Sequence, residues 1–296
     1  MRFTADCVPC LLNRVIYQTD LVDPSRREAA VKEALRLIAE GYPQGINSAK
    51  LATKVHKKAY EVAGTKDPYA DLKRRSNEVV KKMMPQAKSF VESSTDRLEA
   101  ACLVAIAGNV MDFGIKVGID GPEGFEEKFS RLLGEGLQVN QVPRLRYLLE
   151  RSKKVHYLLD NCGEVVLDSF LIEEIKEMGV KVVGVVKGEP ILTDVTLEDL
   201  KETGLDKLFD SLTTTGVFAV GLDLDMCGPL KKELSASDLV VSKGMANFEA
   251  LSDERLPRVA YLMRAKCRPV AEAIGAKKDD NVVKIVELNM EAGPCH

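Results

Sequence analysis

Oxygen-bearing side chains gather where apolar runs stop. Val155-His156-Tyr157-Leu158-Leu159 ends in Asp160-Asn161-Cys162-Gly163-Glu164, and Val180–Val186 leads through Lys187-Gly188-Glu189-Pro190 to Asp194. Asp160, Asn161 and Asp194 offer two carboxylates and an amide, the hard oxygens that magnesium or manganese prefers. Such a set is close to neutral once a divalent ion binds, so an anionic substrate can still approach. Gly163 permits a tight turn and close ligand approach. Glu164 is placed to orient substrate or water. A third run, Leu239-Val240-Val241-Ser242, ends in Lys243-Gly244, with Asn247-Phe248-Glu249 behind it. Each residue also has a plainer reading. Asp-Asn pairs at strand ends cap helices, Asp194 could cap the helix after it, Glu164 could face a helix dipole, and Lys243 could be solvated. Their joint placement is what points to a metal site.

Weaker signals lie elsewhere. Thr213-Thr214-Thr215-Gly216 could cradle a phosphate with hydroxyls and backbone N–H groups, or be an ordinary turn. Asn109 and Asp112 are three residues apart, share a helix face and interrupt the apolar stretch Ala100–Ala107. Buried polar groups need partners, either a substrate or a neighbouring helix. Cys7-Val8-Pro9-Cys10 could be half a zinc site, a redox couple or two packed thiols at a helix start. Seven cysteines do not read as a secreted disulfide framework.

The elements that must hold these residues change period midway. Arg26–Ala39, Lys50–Ala63, Asp71–Val91 and Arg97–Val110 carry apolar residues at three- and four-residue spacing, with breakers at Gly41-Tyr42-Pro43, Gly64 and Asp67-Pro68. A further helix is predicted over Glu126–Leu149, and no strand before about residue 155. After that, short β-branched runs alternate with the helical Val165–Met178 and Leu197–Glu202. This implies an α/β fold, a mainly parallel sheet with helices on both faces. The expected division is a helical domain over 1–150 and an α/β metal-binding domain over 151–296. Net charge is −3 with 45% apolar residues, which argues against a nucleic-acid surface. No apolar run approaches the roughly 20 residues of a membrane span, and a cytoplasmic protein is expected.

The order and spacing of these motifs resemble the damage-control phosphatase family (domain of unknown function 89), in its prokaryotic and archaeal branch. The resemblance runs from the Cys7/Cys10 pair through Asp67-Pro68-Tyr69 with Lys73 and Asn77. It continues over Gly108-Asn109 with Asp112, Asp160-Asn161-x-Gly163-Glu164, Lys187-Gly188 with Asp194, Thr215-Gly216 and Lys243-Gly244 with Asn247-Phe248-Glu249. It implies a helical domain packed on a Rossmann-like α/β/α domain, with the active site between them. It also implies a divalent ion (magnesium, manganese, cobalt or nickel) on Asp160, Asn161 and Asp194. Glu164, Lys243, Asn109, Asp112, Thr215, Gly216 and Asn247 would be turned towards a small phosphorylated metabolite, such as a sugar phosphate or a phosphopantetheine-like compound. One departure stands out: Ala246 occupies a position where glycine is expected, a strain if that residue needs positive φ.

The expected chemistry is phosphomonoester hydrolysis by direct water attack. Asp160 or Glu164 would orient or deprotonate the water, and Lys243 would neutralise the phosphoryl oxygens. An aspartyl-phosphate on Asp160 is the alternative route. A carboxyl methyltransferase using S-adenosylmethionine and a non-catalytic metal-dependent binding protein are the competing classes. Homo-oligomerisation is left open.

Overall fold

The computed structural model describes residues 1–110 and 124–288. Five helices come first: α1 (Cys7–Asp20), α2 (Arg27–Gly41), α3 (Ser48–Ala63), α4 (Ala70–Ser93) and α5 (Arg97–Ala107). Their limits follow local chemistry. The Asn47 side chain caps α3 by accepting from the Ala49 N–H at 3.0 Å, and Gly64 closes it in the left-handed conformation. Asp96 caps α5 by accepting from the Glu99 N–H at 2.9 Å. Helices α1 to α3 bury a core of their own around Leu11, Val15, Ala34 and Val55. By contrast, α5 is buried along Ala100–Ala107, as expected of a helix apolar all round.

The chain continues through α6 (Gly124–Gly134), β1 (Val139–Asn140), α7 (Val142–Leu149), β2 (Lys154–Leu158), α8 (Glu164–Glu177), β3 (Lys181–Val186), α9 (Leu197–Thr203) and β4 (Ser211–Thr214). It ends with α10 (Gly228–Ser235), β5 (Leu239–Lys243), α11 (Gly244–Leu251), β6 (Arg258–Arg264), α12 (Arg268–Ile274) and β7 (Asn281–Glu287). The strands form one sheet in the order β1-β7-β6-β5-β2-β3-β4. Its five central and outer strands from β6 to β4 are parallel, and β7 runs antiparallel to β6.

Both faces are covered, which explains the continuous apolar runs. Along β5, Leu239 and Val241 join the core that contains α5 and α8, while Val240 joins the one containing Phe248 and Leu251 of α11. From β2 the chain order proceeds one way to β3 and β4 and the other way to β5 and β6. That reversal is a topological switch point, where open α/β sheets bind ligands at the carboxyl ends of their strands.

The fold is the α/β arrangement expected from sequence, with two local corrections and one expectation met at the N-terminus. The segment read as one helix over Glu126–Leu149 is two helices with β1 between them, and β1 pairs with β7 inside the sheet. A two-residue strand carries no readable period. The Thr213–Gly216 stretch read as a loop begins within β4, a short, half-exposed edge strand. Helix α1 begins at Cys7, placing Cys7 and Cys10 one turn apart at a helix start.

Candidate active site

Asp160 and Asn161 follow β2, and Asp194 lies in the loop after β3. An isolated antiparallel bridge pairs Asn161 with Asp194, and the Val195 N–H donates to the Asp160 carbonyl at 2.8 Å. The two loops are thereby stitched together. All three side chains line a cavity of about 340 Å³, whose opposite wall comes from α1 and α3. None of the three is a helix cap: Gly163 occupies that position for α8, and Thr196 with Asp199 forms a capping box for α9.

Close backbone approach is required at the switch point. A Cβ on Gly244, which has φ +74°, would lie 1.8 Å from Asp160 Oδ2. Any side chain there would occupy the space of the carboxylate. Ala246, the position where glycine was expected, sits within α11 and carries no positive φ. Opposite it, the β3–α9 loop is held in an uncommon shape. Leu192 takes φ 50°, and its N–H donates to the Tyr60 hydroxyl of α3 at 2.9 Å. Non-glycine residues in that region are infrequent and concentrate at functional loops.

A hydrogen-bond lattice fixes the carboxylates from behind. Asn109 Nδ2 donates to Asp160 Oδ2 and to Glu164 Oε2, both at 2.9 Å. Asn161 Nδ2 donates to the same two oxygens at 2.7 and 2.9 Å, and the Thr193 hydroxyl donates to Asn161 Oδ1 at 2.6 Å. The Asn161 carbonyl oxygen retains acceptor capacity, having two lone pairs. Lys187 Nζ lies 3.3 Å from Asp194 Oδ2 and also donates to the Gly221 carbonyl.

Glu164 and Lys243 are placed otherwise than expected. Both are fully buried and neither lines the cavity. Lys243 Nζ donates to Glu164 Oε1 and Asp168 Oδ1, each at 2.6 Å, and to the Ala105 carbonyl at 3.0 Å. All three N–H groups are engaged, so contact with a phosphoryl group in the cavity is not what this geometry supports. Burial opposes the charge on Lys243, but the Asp168 and Glu164 carboxylates outweigh it and hold its pKa above the usual lysine range. Burial pushes the Asp168 carboxyl up to about 6 against the pull of Lys243. Asp168 also accepts from the Tyr157 hydroxyl at 2.9 Å.

Thr215, Gly216 and Asn247 also lie off the cavity lining. The Thr215 hydroxyl accepts from the Gly188 N–H at 2.9 Å and donates to the Val217 carbonyl, tying together the loops after β3 and β4. Asn247 Nδ2 donates to the carbonyls of Lys243 and Leu159. Asn109 is a supporting residue behind Asp160, and Asp112 lies outside the described residues.

Sequence reasoning missed Lys266. It follows β6, is 4% exposed, lines the cavity, and donates from Nζ to the Asn109 carbonyl at 2.7 Å. The signal was present: Lys266 is a polar residue just beyond a strand, like Asp160 and Asp194. Cys7, Cys10 and Cys267 line the same cavity outside any disulfide, and burial pushes Cys267 up to about 11.

A doubly wound sheet with acidic oxygens and a lysine at its switch point defines a class: α/β proteins that handle a small polar ligand at the strand carboxyl ends. Within that class the chain belongs to the damage-control phosphatase family, since residues 3–282 match the family model described as Damage-control phosphatase ARMT1-like domain. It is 41% identical to a damage-control phosphatase of Archaeoglobus fulgidus, over 97% of this chain and 100% of the relative. It is 30% identical to a damage-control phosphatase of Pyrococcus horikoshii, over 94% of this chain and 96% of that protein. The crystal structure of a DUF89 family protein from Pyrococcus horikoshii superposes with a TM-score of 0.83 at 30% identity, covering 96% of this chain and 98% of the other. Among the described residues, no helix is long and apolar enough to cross a membrane.

Proposed function

We propose that this phosphatase-family protein hydrolyses a small phosphomonoester with the help of a divalent metal ion held by Asp160, Asn161 and Asp194. The observation that carries the reading is the convergence of these three residues and Lys266 on one cavity. The donor set fits such an ion. It consists of hard oxygens from two bridged loops, with the glycine at 244 leaving room beside the Asp160 carboxylate. When bound, the ion supplies Lewis-acid polarisation of a phosphoryl oxygen.

The chain's own residues account for the rest. Lys266 faces the phosphoryl oxygens and neutralises charge that grows during attack, a contribution of roughly 3–4 kcal/mol for a preorganised donor. Asp160 orients the attacking water, its carboxylate fixed by the amides of Asn109 and Asn161. Water attacks phosphorus, the bond from phosphorus to the alcohol oxygen breaks, and the alcohol leaves with a proton as inorganic phosphate forms. Glu164 anchors the lattice, because its two oxygens accept from Lys243, Asn109 and Asn161.

The test is phosphate release from a panel of phosphomonoesters after chelation and then with added magnesium, manganese, cobalt or nickel. The expected result is a rate abolished by chelation and restored by at least one metal. Turnover indifferent to chelation would remove the metal from the reading. No turnover of any ester under any metal would remove the phosphatase activity itself.

A further inference from the structure

Hydrolysis of an ester of an ordinary alcohol needs a proton at the alcohol oxygen as its bond to phosphorus breaks. Attack and departure lie in line, on opposite sides of the phosphorus. With water held on the Asp160 side, the departing oxygen faces the opposite wall, which α1 and α3 build.

His56 of α3 stands on that wall. Ser48, Ala52 and His56 all line the cavity and follow one another at four-residue spacing, along one helix face. Tyr60 continues the row, and its hydroxyl accepts from the Leu192 N–H in the loop that carries Asp194. His56 is therefore the cavity residue of α3 nearest the floor, roughly 6 Å along the helix axis from Tyr60. Arg14 of α1 lines the same wall, but a guanidinium does not give up its proton.

The His56 ring is held in one orientation. It is 1% exposed, and its Nδ1 lies 2.8 Å from Oε1 of Gln18 on α1. That oxygen only accepts, so Nδ1 carries a proton and Nε2 is the nitrogen that exchanges one. Gln18 is itself fully buried, and among the described residues its Nε2 makes no hydrogen bond. A buried amide left half-satisfied costs stability, and the contact it keeps is the one that fixes the imidazole. His156 gives the contrast: equally buried, it pairs with the Ser237 hydroxyl at 2.9 Å and lies off the cavity.

Resting on the phosphatase reading above, we propose that His56 is the general acid of the reaction, oriented by Gln18. A bound phosphate ester, being anionic, favours the protonated ring. As the bond from phosphorus to the alcohol oxygen breaks, its electron pair goes to that oxygen and the Nε2 proton of His56 follows. The alcohol departs neutral. The imidazole keeps its Nδ1 proton on Gln18, and solvent returns the other.

The experiment compares two esters on the metal-loaded enzyme. One is a sugar phosphate, whose alcohol oxygen needs the proton; the other is p-nitrophenyl phosphate, whose nitrophenolate leaves without one. His56→Gln should lower kcat/KM for the sugar phosphate by about 10²–10⁴-fold, the usual contribution of a general acid, and for p-nitrophenyl phosphate by less than about ten-fold. Gln18→Leu, which leaves the ring in place but unoriented, should show the same bias several-fold smaller. The metal concentration at half-maximal rate should match wild type in both.

Equal losses on the two esters in folded His56→Gln, or no loss on the sugar phosphate, would overturn the proposal and leave the phosphatase reading standing. If neither variant folds, wild type decides. Across phenyl phosphates of increasingly acidic phenols its kcat/KM should stay within about ten-fold, since a donated proton levels the leaving groups; a steep rise would overturn the proposal. Failure to hydrolyse any ester would fail the phosphatase reading itself and this proposal with it.

Discussion

Two buried lysines in this molecule each sit between two carboxylates, yet they do different work. Lys243 lies between Glu164 and Asp168, with both partners fully buried, directly behind the cavity floor. Lys73 of α4 lies between Asp67 and Asp199 at 3.2 and 2.7 Å, with those acids 19% and 16% exposed, and it ties the helical half to the start of α9. Both belong to motifs that resemble the family's, though only Lys243 stands at the end of an apolar strand run. The difference is in what the partner carboxylate does next. Glu164 passes order through Asn109 and Asn161 to Asp160, whereas Asp199 caps a helix.

The largest effect is expected at the first cluster. Lys243→Ala leaves two uncompensated buried carboxylates, and breaking a buried pair in this way costs about 3–5 kcal/mol. Urea unfolding should show that loss, and a midpoint equal to wild type would mean the ion cluster is not as sealed as the structure has it. Next comes Asn109→Ala, which removes the amide shared by Asp160 and Glu164. Residues in such supporting positions typically change activity or metal affinity by about 10–100-fold, so the specific rate of the folded variant should fall within that range. A rate unchanged despite lowered stability would make Asn109 structural only.

Lys73→Ala should be milder, because its partners keep access to water. A loss of roughly 1–2 kcal/mol is expected, with kcat of the folded protein close to wild type. A large fall in kcat at unchanged stability would erase the distinction between the two lysines.

The smallest effect is a pH signature. Folded Asp168 keeps its proton up to about 6, whereas an unfolded aspartate loses it near about 3.9. Between those values the folded state binds the extra proton, so this group's contribution to stability falls as pH rises through that window. Thermal midpoints from pH 4 to 6.5 should show this falling component in wild type and not in Asp168→Asn; parallel profiles would contradict it.

Much of this was legible beforehand because burial on both faces writes strands as continuous apolar runs. β2, β3 and β5 all fall within a residue or two of the runs that announced them. That Asp160, Asn161 and Asp194 meet at one cavity follows from their places just past such runs. What escaped was short or unpatterned: β1 has two residues, β4 is a half-exposed edge, and α12 has seven residues. Lys243 and Glu164 were expected to face the substrate, and the structure buries both behind the cavity. A sequence shows that a lysine follows a strand, not whether its ammonium turns towards the cavity or towards α5 and α8. Lys266 lies two residues past β6, at a strand end that no carboxylate or glycine marks in the sequence.

The most direct test of the account is a metal titration of the phosphatase rate for wild type, Asp194→Ala and Lys266→Ala. Asp194→Ala removes one of few protein oxygens from the ligand set, so its curve should shift to higher metal concentration and partly recover there. Lys266→Ala leaves that set intact, so its curve should keep the wild-type midpoint while its plateau drops by roughly 10²–10³-fold. Superimposable rescue curves for the two variants, or a wild-type rate that does not depend on metal, would contradict the assignment of metal binding to the carboxylates and phosphoryl stabilisation to Lys266.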